Sequence, residues 1–104
     1  MDGVKYDGDK LRYDLLPPIA LAHVAGVLTF GAQKYAPENW RCVPDLQSRY
    51  MAAAFRHIEA HRMGEKYDPE SKYTHLAHAV TCLMFIIEDQ GKDSYANLFG
   101  FPTD

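Results

Sequence analysis

The stretch DPESKYTHLAHAVTCLMFIIEDQG, residues 68–91, contains the most apolar helical segment of the chain. Its large apolar side chains recur at helical spacing, and a second face of the same segment carries two histidines and a cysteine. We therefore expect this third helix to lie centrally and to contact neighbours on more than one side. The apolar residues are Leu76, Val80, Leu83, Ile86 and Ile87, and the second face has His75, His78, Ala79 and Cys82.

Two further helices are predicted upstream of this stretch. A proline pair opens the first, at residues 18–34, because proline loses no hydrogen bond at the first helical position. The second starts with Asp45 as its N-cap and ends at Gly64. Residues 68–71 supply the start of the third helix, which ends at Gly91. Without any alternating run of strand length, the sequence predicts an all-α fold.

The chain length predicts one domain, residues 1–104, with an extended arm at 1–16, a helical core at 17–91 and a tail at 92–104. A chain of this size buries roughly two-thirds of its unfolded surface. The remaining apolar face of the third helix predicts a dimer or higher homo-oligomer. The aromatic residues of the tail suggest a contact with a neighbouring subunit.

The charge balance argues against several classes of partner. A net charge of -3 and a pI near 5.9 disfavour binding to duplex nucleic acid, which needs a basic surface. No apolar segment approaches the ~20 residues of a membrane span, and the charged amino terminus is unlike a secretory signal. We expect a cytoplasmic protein. Its two cysteines, Cys42 and Cys82, lack metal-binding spacing and should stay reduced.

A basic stripe follows one face of the second helix. Arg49 and Arg56 could hold phosphate oxygens, and His57 with His61 has the i, i+4 spacing of a metal-binding pair. The alternative is a solvated helix face stabilised by ion pairs. For the stripe taken alone, that alternative is favoured because charged surface stripes are common.

Acids and histidines are concentrated before the third helix. Glu65, Asp68 and Glu70 supply the carboxylate oxygens that hard divalent cations prefer. His75 and His78 have a spacing compatible with zinc. The alternative roles are helix capping for the acids and hydrogen bonding in the core for the histidines.

The connector GAQKYAPENWRC, residues 31–42, is rich in side chains that grip flat or anionic ligands. Aromatic faces can stack on a base, an amide can bind a base edge or sugar hydroxyl, and cations can neutralise phosphate. Alternatively, Trp40 fills the core and Asn39 forms a turn. The candidates are Tyr35, Asn39 and Trp40 for base and sugar and Lys34 and Arg41 for phosphate.

Four blocks follow one another along the chain: KYDGDKLRYDLLPPIAL, VLTFGAQKYAPENWR, RYMAAAFRHIEAHRMGEKYDPES and HLAHAV. In this order they resemble a phage family of dATP/dGTP diphosphohydrolases, the MazZ-like relatives of MazG. The resemblance covers roughly residues 4–90 and depends on the order of the blocks. Lys72 stands where the family usually has glycine.

This resemblance implies an all-α, MazG-like assembly that cuts a purine deoxynucleoside triphosphate to the monophosphate and pyrophosphate with a divalent metal. In MazG proteins the metal is held by paired carboxylates, whereas the second helix here offers only Glu59. Three functions therefore stay open. They are a hydrolase with a rearranged acid cluster, a non-catalytic phage protein that sequesters a linear or cyclic nucleotide signal of host defence, and a helical interaction module.

Our working hypothesis places a purine nucleotide between Trp40 and the face of Arg56 and His57, with Mg²⁺ or Mn²⁺ as the cofactor. The expected catalytic residues are Glu38, His57 and Glu65, and the expected metal ligands are Glu65, Asp68, Glu70 and His75. The expected nucleotide contacts are Lys10, Arg12, Lys34, Tyr35, Asn39, Trp40, Arg41 and Arg56.

Overall fold

The computed structural model describes residues 2–91, whose regular elements are helical. Within this range the only β-type pairing is one isolated bridge, so no strand or sheet forms there. The predicted all-α fold with three main helices is confirmed. The helices are α1 Pro18–Lys34, α2 Leu46–Arg62 and α3 His75–Gly91, and two short 3-10 helices span Tyr13–Leu15 and Asn39–Cys42.

The first two helices begin close to their predicted starts. Helix α1 has the predicted bounds, with proline in its first turn. Asp45 is the N-cap of α2, as predicted, although its side chain makes no capping hydrogen bond. Its backbone is left-handed, with φ 54, and its carbonyl accepts a hydrogen bond from the Ser48 hydroxyl. Helix α2 ends just before Gly64, which has φ 101.

The predicted start of α3 is wrong, because residues 65–74 form a loop. An antiparallel bridge between Tyr67 and Thr74 closes this loop. The Asp68 carboxylate accepts a 2.8 Å hydrogen bond from the Ser71 backbone N–H, which folds the acidic segment into a turn. The start signals at 68–71 are thus turn signals.

Thr74 provides the cap of α3. Its hydroxyl oxygen accepts a 3.0 Å hydrogen bond from the Ala77 backbone N–H, as an N-cap side chain does. Helix α3 consequently begins at His75, the residue after this threonine. This start places His75 in the first turn of the helix, beside the loop.

Helix α3 packs against both α1 and α2, which confirms its predicted central position. We call His75, Ala79, Cys82 and Ile86 its inner face; all four are buried. We call Leu76, Val80, Leu83 and Ile87 its outer face; all four are exposed within the single chain. The apolar stripe that we predicted for α3 is therefore mainly on the outside. Residues buried on the other two helices are Val24, Val27, Leu46 and Ala54.

The loop before α3 is docked on α1 through a position without a side chain. The ring of Tyr73 lies where a Cβ on Gly26 would project, so only glycine leaves room for this contact. The contact fixes the loop that carries Asp68 relative to the helices.

The described part of the predicted arm, residues 2–16, is exposed along its length and ends with the first 3-10 helix. The predicted tail, residues 92–104, lies outside the described residues, so its contacts stay a prediction. Within residues 2–91, no helix has both the length and the apolar character needed to cross a bilayer.

Candidate functional site

A cavity of about 1240 Å³ opens between the connector, α2, α3 and the loop before α3. Trp40 on the connector and Arg56 on α2 both line it, as do His57 and Asp68. The sequence hypothesis required a cavity between the indole and the guanidinium, and the structure contains one.

The structure brings most of the predicted side chains to this cavity, but not all. Lys10 and Arg12 lie on the exposed arm, and Arg12 is bonded to Asp14 at 2.8 Å. Glu65 and His75 lie outside the lining, next to each other. The predicted residues that line the cavity are Lys34, Tyr35, Glu38, Asn39, Trp40, Arg41, Arg56, His57, Asp68 and Glu70.

Aromatic stacking holds the connector wall in place. The Trp40 ring stacks on Phe85 of α3, with centroids 4.3 Å apart and an interplanar angle of 10°. The Arg41 guanidinium carbon lies 4.4 Å from the centroid of the Trp40 ring, and Tyr50 meets Phe85 edge-on. Trp40 therefore packs against Phe85 and Arg41 while it lines the cavity, and its contact with a base stays a prediction.

Cationic side chains reach the cavity from two directions. Lys34 from α1 is 2.6 Å from Glu70, and this hydrogen bond raises the pKa of Lys34. Arg49 is oriented by a 3.4 Å hydrogen bond to the Pro44 carbonyl. Within residues 2–91, Arg56 forms no ion pair, so its guanidinium is available to an anionic ligand.

Three histidines meet at the inner end of the cavity. The Nδ1 atoms of His57 and His75 are 2.9 Å apart, and Nε2 of His75 is 2.6 Å from the Glu65 carboxylate. The ring of His78 stacks on His57 with centroids 4.6 Å apart. His57 is thus positioned from both sides by rings on α3.

Burial controls the charge of this cluster. Burial, followed by the neighbouring His78 and His75, lowers the pKa of His57 to about 4. Burial also lowers the pKa of His78. For Asp68, burial acts against ionisation, but hydrogen bonds from Ser71 and the nearby histidines outweigh it and lower the pKa. At neutral pH His57 is therefore an uncharged imidazole beside an ionised carboxylate.

The atoms that converge are suited to a metal, although they are not the set that we predicted. His57, Asp68 and His75 each offer one ligand atom, and these atoms lie within 4.8 Å of one another. The other acids are engaged elsewhere: Glu70 pairs with Lys34 and Glu38 with Arg41. Two nitrogens and one oxygen fit transition metals that bind imidazole, such as zinc, iron and nickel, whereas they do not provide the oxygen shell that Mg²⁺ prefers.

Sequence reasoning missed two residues that support the site. Ser71 is buried and its hydroxyl lies 2.6 Å from Nε2 of His78. Phe85 of α3 stacks on the Trp40 ring and so holds the connector against the helix.

Comparison with known proteins gives a consistent pattern. The family described as dATP/dGTP diphosphohydrolase, N-terminal, matches residues 1–97. A dATP/dGTP diphosphohydrolase from Salmonella phage PMBT28 is 36% identical over 86 residues. The matched segment is 83% of this chain but only 29% of that relative, so the chain spans less than a third of the relative's length. No solved structure matches the chain.

Proposed function

Since the chain belongs to the family described as dATP/dGTP diphosphohydrolase, N-terminal, we propose that it binds a purine deoxynucleoside triphosphate in the cavity and hydrolyses it. The products would be the deoxynucleoside monophosphate and pyrophosphate. The supporting observation is the common cavity of Trp40, Arg56 and the histidine cluster. The cavity is lined by the exposed ring of Tyr35, by the Arg56 guanidinium, which forms no ion pair within residues 2–91, and by two of the three candidate metal ligands, His57 and Asp68.

The proposed binding mode follows from the two ends of the cavity. The connector, with the exposed Tyr35 ring and the Asn39 amide, would contact the base and sugar. Arg49 and Arg56, which are two turns apart on α2, would direct the phosphates toward His57. A cavity of about 1240 Å³ has room for a nucleoside triphosphate.

In the proposed reaction, water attacks the α-phosphorus, the bond from that phosphorus to the bridging oxygen breaks, and pyrophosphate leaves. Arg56 would stabilise the charge that develops on the phosphate oxygens. Glu38, one of the expected catalytic residues, lines the cavity and would accept the proton from water. A divalent metal bound by His57, Asp68 and His75 would supply Lewis-acid stabilisation of the phosphate.

Incubation of the full chain with each deoxynucleoside triphosphate and Mn²⁺ or Mg²⁺, followed by chromatography, tests this proposal. We expect pyrophosphate release from purine substrates. Arg56→Met should lower the rate by about 100-fold, because it removes a donor to the transition-state charge. The matched control is Arg62→Met, since Arg62 is exposed, pairs with Glu59 and lies outside the cavity.

Other results would favour the remaining alternatives. If intact nucleotide is recovered after a saturated complex is denatured, the protein sequesters the nucleotide and does not hydrolyse it. Cyclic nucleotides should be included in the same screen. A ligand at about 100 times its dissociation constant adds about 2.7 kcal/mol of stability. If no nucleotide shifts the melting temperature, nucleotide binding is wrong and an interaction module is left.

We also propose that the outer face of α3 packs against a second copy of the chain in the host cytoplasm. Four large apolar side chains at i, i+4, i+7 and i+11 form a stripe that the single chain leaves in water. A two-fold assembly would bury the same stripe from both copies. The stripe consists of Leu76, Val80, Leu83 and Ile87.

A further inference from the structure

We infer that His57, Asp68 and His75 form a site selective for a divalent transition metal over Mg²⁺, and that Glu65 is a positioning residue that orients His75 toward the metal. This inference rests on the proposed function of the cavity and deepens it by naming the class of metal. It also gives Glu65 a role different from the metal ligand expected from sequence.

The cluster is assembled from three separate segments. His57 comes from the middle of α2, Asp68 from the loop and His75 from the first turn of α3. Each is at least partly buried, and their ligand atoms lie within 4.8 Å of one another. Side chains brought together from three segments and partly withdrawn from water need a shared partner or good mutual hydrogen bonds. A bound metal ion would meet that need in place of the hydrogen bond between the Nδ1 atoms of His57 and His75.

The contact with Glu65 determines which nitrogen of His75 faces the cluster. An ionised carboxylate only accepts hydrogen bonds, so Nε2 of His75, 2.6 Å from Glu65, must carry a proton. In a singly protonated ring the lone pair is then on Nδ1, which points at His57. Metal-binding histidines commonly donate their second N–H to a carboxylate in this way.

The spacing of the two imidazole nitrogens suits one shared ion. Nitrogens bound to one metal at about 2.0–2.1 Å and at a right angle to each other are about 2.9 Å apart. The Nδ1 atoms of His57 and His75 are 2.9 Å apart. Imidazole nitrogen is a good ligand for zinc, copper, iron and nickel, whereas magnesium strongly prefers oxygen.

The site is also open on the side where a substrate would approach. His57 and Asp68 line the cavity, whereas His75 lies behind them and contacts Glu65. Three protein ligands with access from the cavity leave coordination positions for water or phosphate oxygen, as in catalytic metal sites. The other carboxylate near the cluster, Glu70, is held by Lys34.

The first test is calorimetric titration of the metal-free full chain with Mn²⁺, Co²⁺, Zn²⁺ and Mg²⁺, without nucleotide. We expect at least one transition metal to bind about 100-fold more tightly than Mg²⁺. The visible absorption of bound Co²⁺ should report nitrogen coordination. Equal or tighter binding of Mg²⁺, or no binding of any of the four metals, would overturn the inference in favour of a hydrogen-bonded histidine pair.

Variants then assign the roles. Asp68→Asn should abolish Co²⁺ binding, while the amide oxygen still accepts the hydrogen bond from Ser71. Glu65→Ala should weaken binding by about 10- to 100-fold and shift the Co²⁺ spectrum, as expected for loss of an orienting carboxylate. Glu59→Ala removes an exposed carboxylate of α2 outside the cluster and should leave the Co²⁺ affinity and the Co²⁺ spectrum unchanged.

The test of metal selectivity and the test of nucleotide binding can fail independently. Nucleotide binding is measured by the shift in melting temperature with excess Mg²⁺, where the cluster need not hold a transition metal. If nucleotide binds but metal selectivity is absent, only the inference about the metal is wrong. If Co²⁺ binds at the cluster but no nucleotide binds, the proposed function is wrong and the metal site stands.

Discussion

The two faces of α3 start one residue apart, yet one is buried and the other is exposed. The inner face, which begins at His75, has exposed fractions of 4–7%, although its side chains are mostly small or polar. The outer face, which begins at Leu76, consists of Leu, Val, Leu and Ile with exposed fractions of 36–66%. Hydrophobicity alone would have placed the outer face in the core of a single chain.

The difference shows that side-chain size decides which face α2 can approach. Ala79 on the inner face and Ala54 on α2 are both almost fully buried, and alanines let two helices pack closely. The same close packing withdraws functional groups from water. Burial raises the pKa of the Cys82 thiol to about 11, so this cysteine is protonated at neutral pH and does not supply a thiolate to the site.

The largest expected effect on stability comes from enlarging the inner face. Ala79→Leu adds three carbons at a position that is 4% exposed, where α3 meets its neighbours. We expect a loss of about 1–3 kcal/mol in the free energy of unfolding, because an overpacked core forces rotamers and backbone to shift. Urea denaturation followed by circular dichroism measures it.

The control is Ala22→Leu, which makes the same change at an exposed position of α1. It should change the free energy of unfolding by less than about 0.5 kcal/mol, as surface substitutions usually do. Equal losses for the two variants would mean that the inner face is not closely packed and that residue size does not explain its burial.

The sequence was sufficient for the fold class and for most of the helix bounds. Proline at the start of α1 and the glycine that follows α2 act locally, so they can be read without tertiary information. The start of α3 was misassigned because Asp, Pro and Ser begin helices and turns alike. The bridge from Tyr67 to Thr74 makes these residues a turn, and that pairing is not local.

Local sequence signals were also insufficient for part of the site. The chemical types in the connector and on α2 were enough to predict that Trp40 and Arg56 border one cavity, and both line it; ligand binding there stays a prediction. Which acid joins the histidines could not be read, because it depends on how the loop docks on α1. Gly26 makes room for Tyr73, and this docking places Asp68, rather than Glu70, beside His57.

A charge on the outer face should have a smaller effect that depends on concentration. Ile87→Asp replaces a side chain that is 66% exposed, so the folded single chain should lose little stability. In the proposed two-fold assembly, like charges would face each other in an apolar contact. We expect the dissociation constant of the assembly to rise at least about 10-fold, equivalent to about 1.4 kcal/mol.

Sedimentation velocity over a range of concentrations measures this effect. Ala22→Asp, an exposed change on α1 that also adds one negative charge, controls for the altered net charge. If wild-type chain sediments as a monomer at every concentration, no second copy covers the outer face. If Ile87→Asp associates as wild type does, the copies meet through another surface.

The smallest expected effect concerns the loop that carries Asp68 to the inner face. Here the substitution should raise the free energy of unfolding, whereas Ala79→Leu should lower it. Lys72 has φ 71, a left-handed conformation that costs a residue with a side chain about 1–2 kcal/mol. Lys72→Gly removes this cost but adds about 0.5–1 kcal/mol of conformational entropy to the unfolded chain. We expect a net gain in the free energy of unfolding of up to about 1 kcal/mol. The control is Lys66→Gly, in the same loop but without a positive φ, which should lower the free energy of unfolding. Urea denaturation measures both variants. If both change the free energy of unfolding in the same direction, the left-handed turn that positions Asp68 is contradicted.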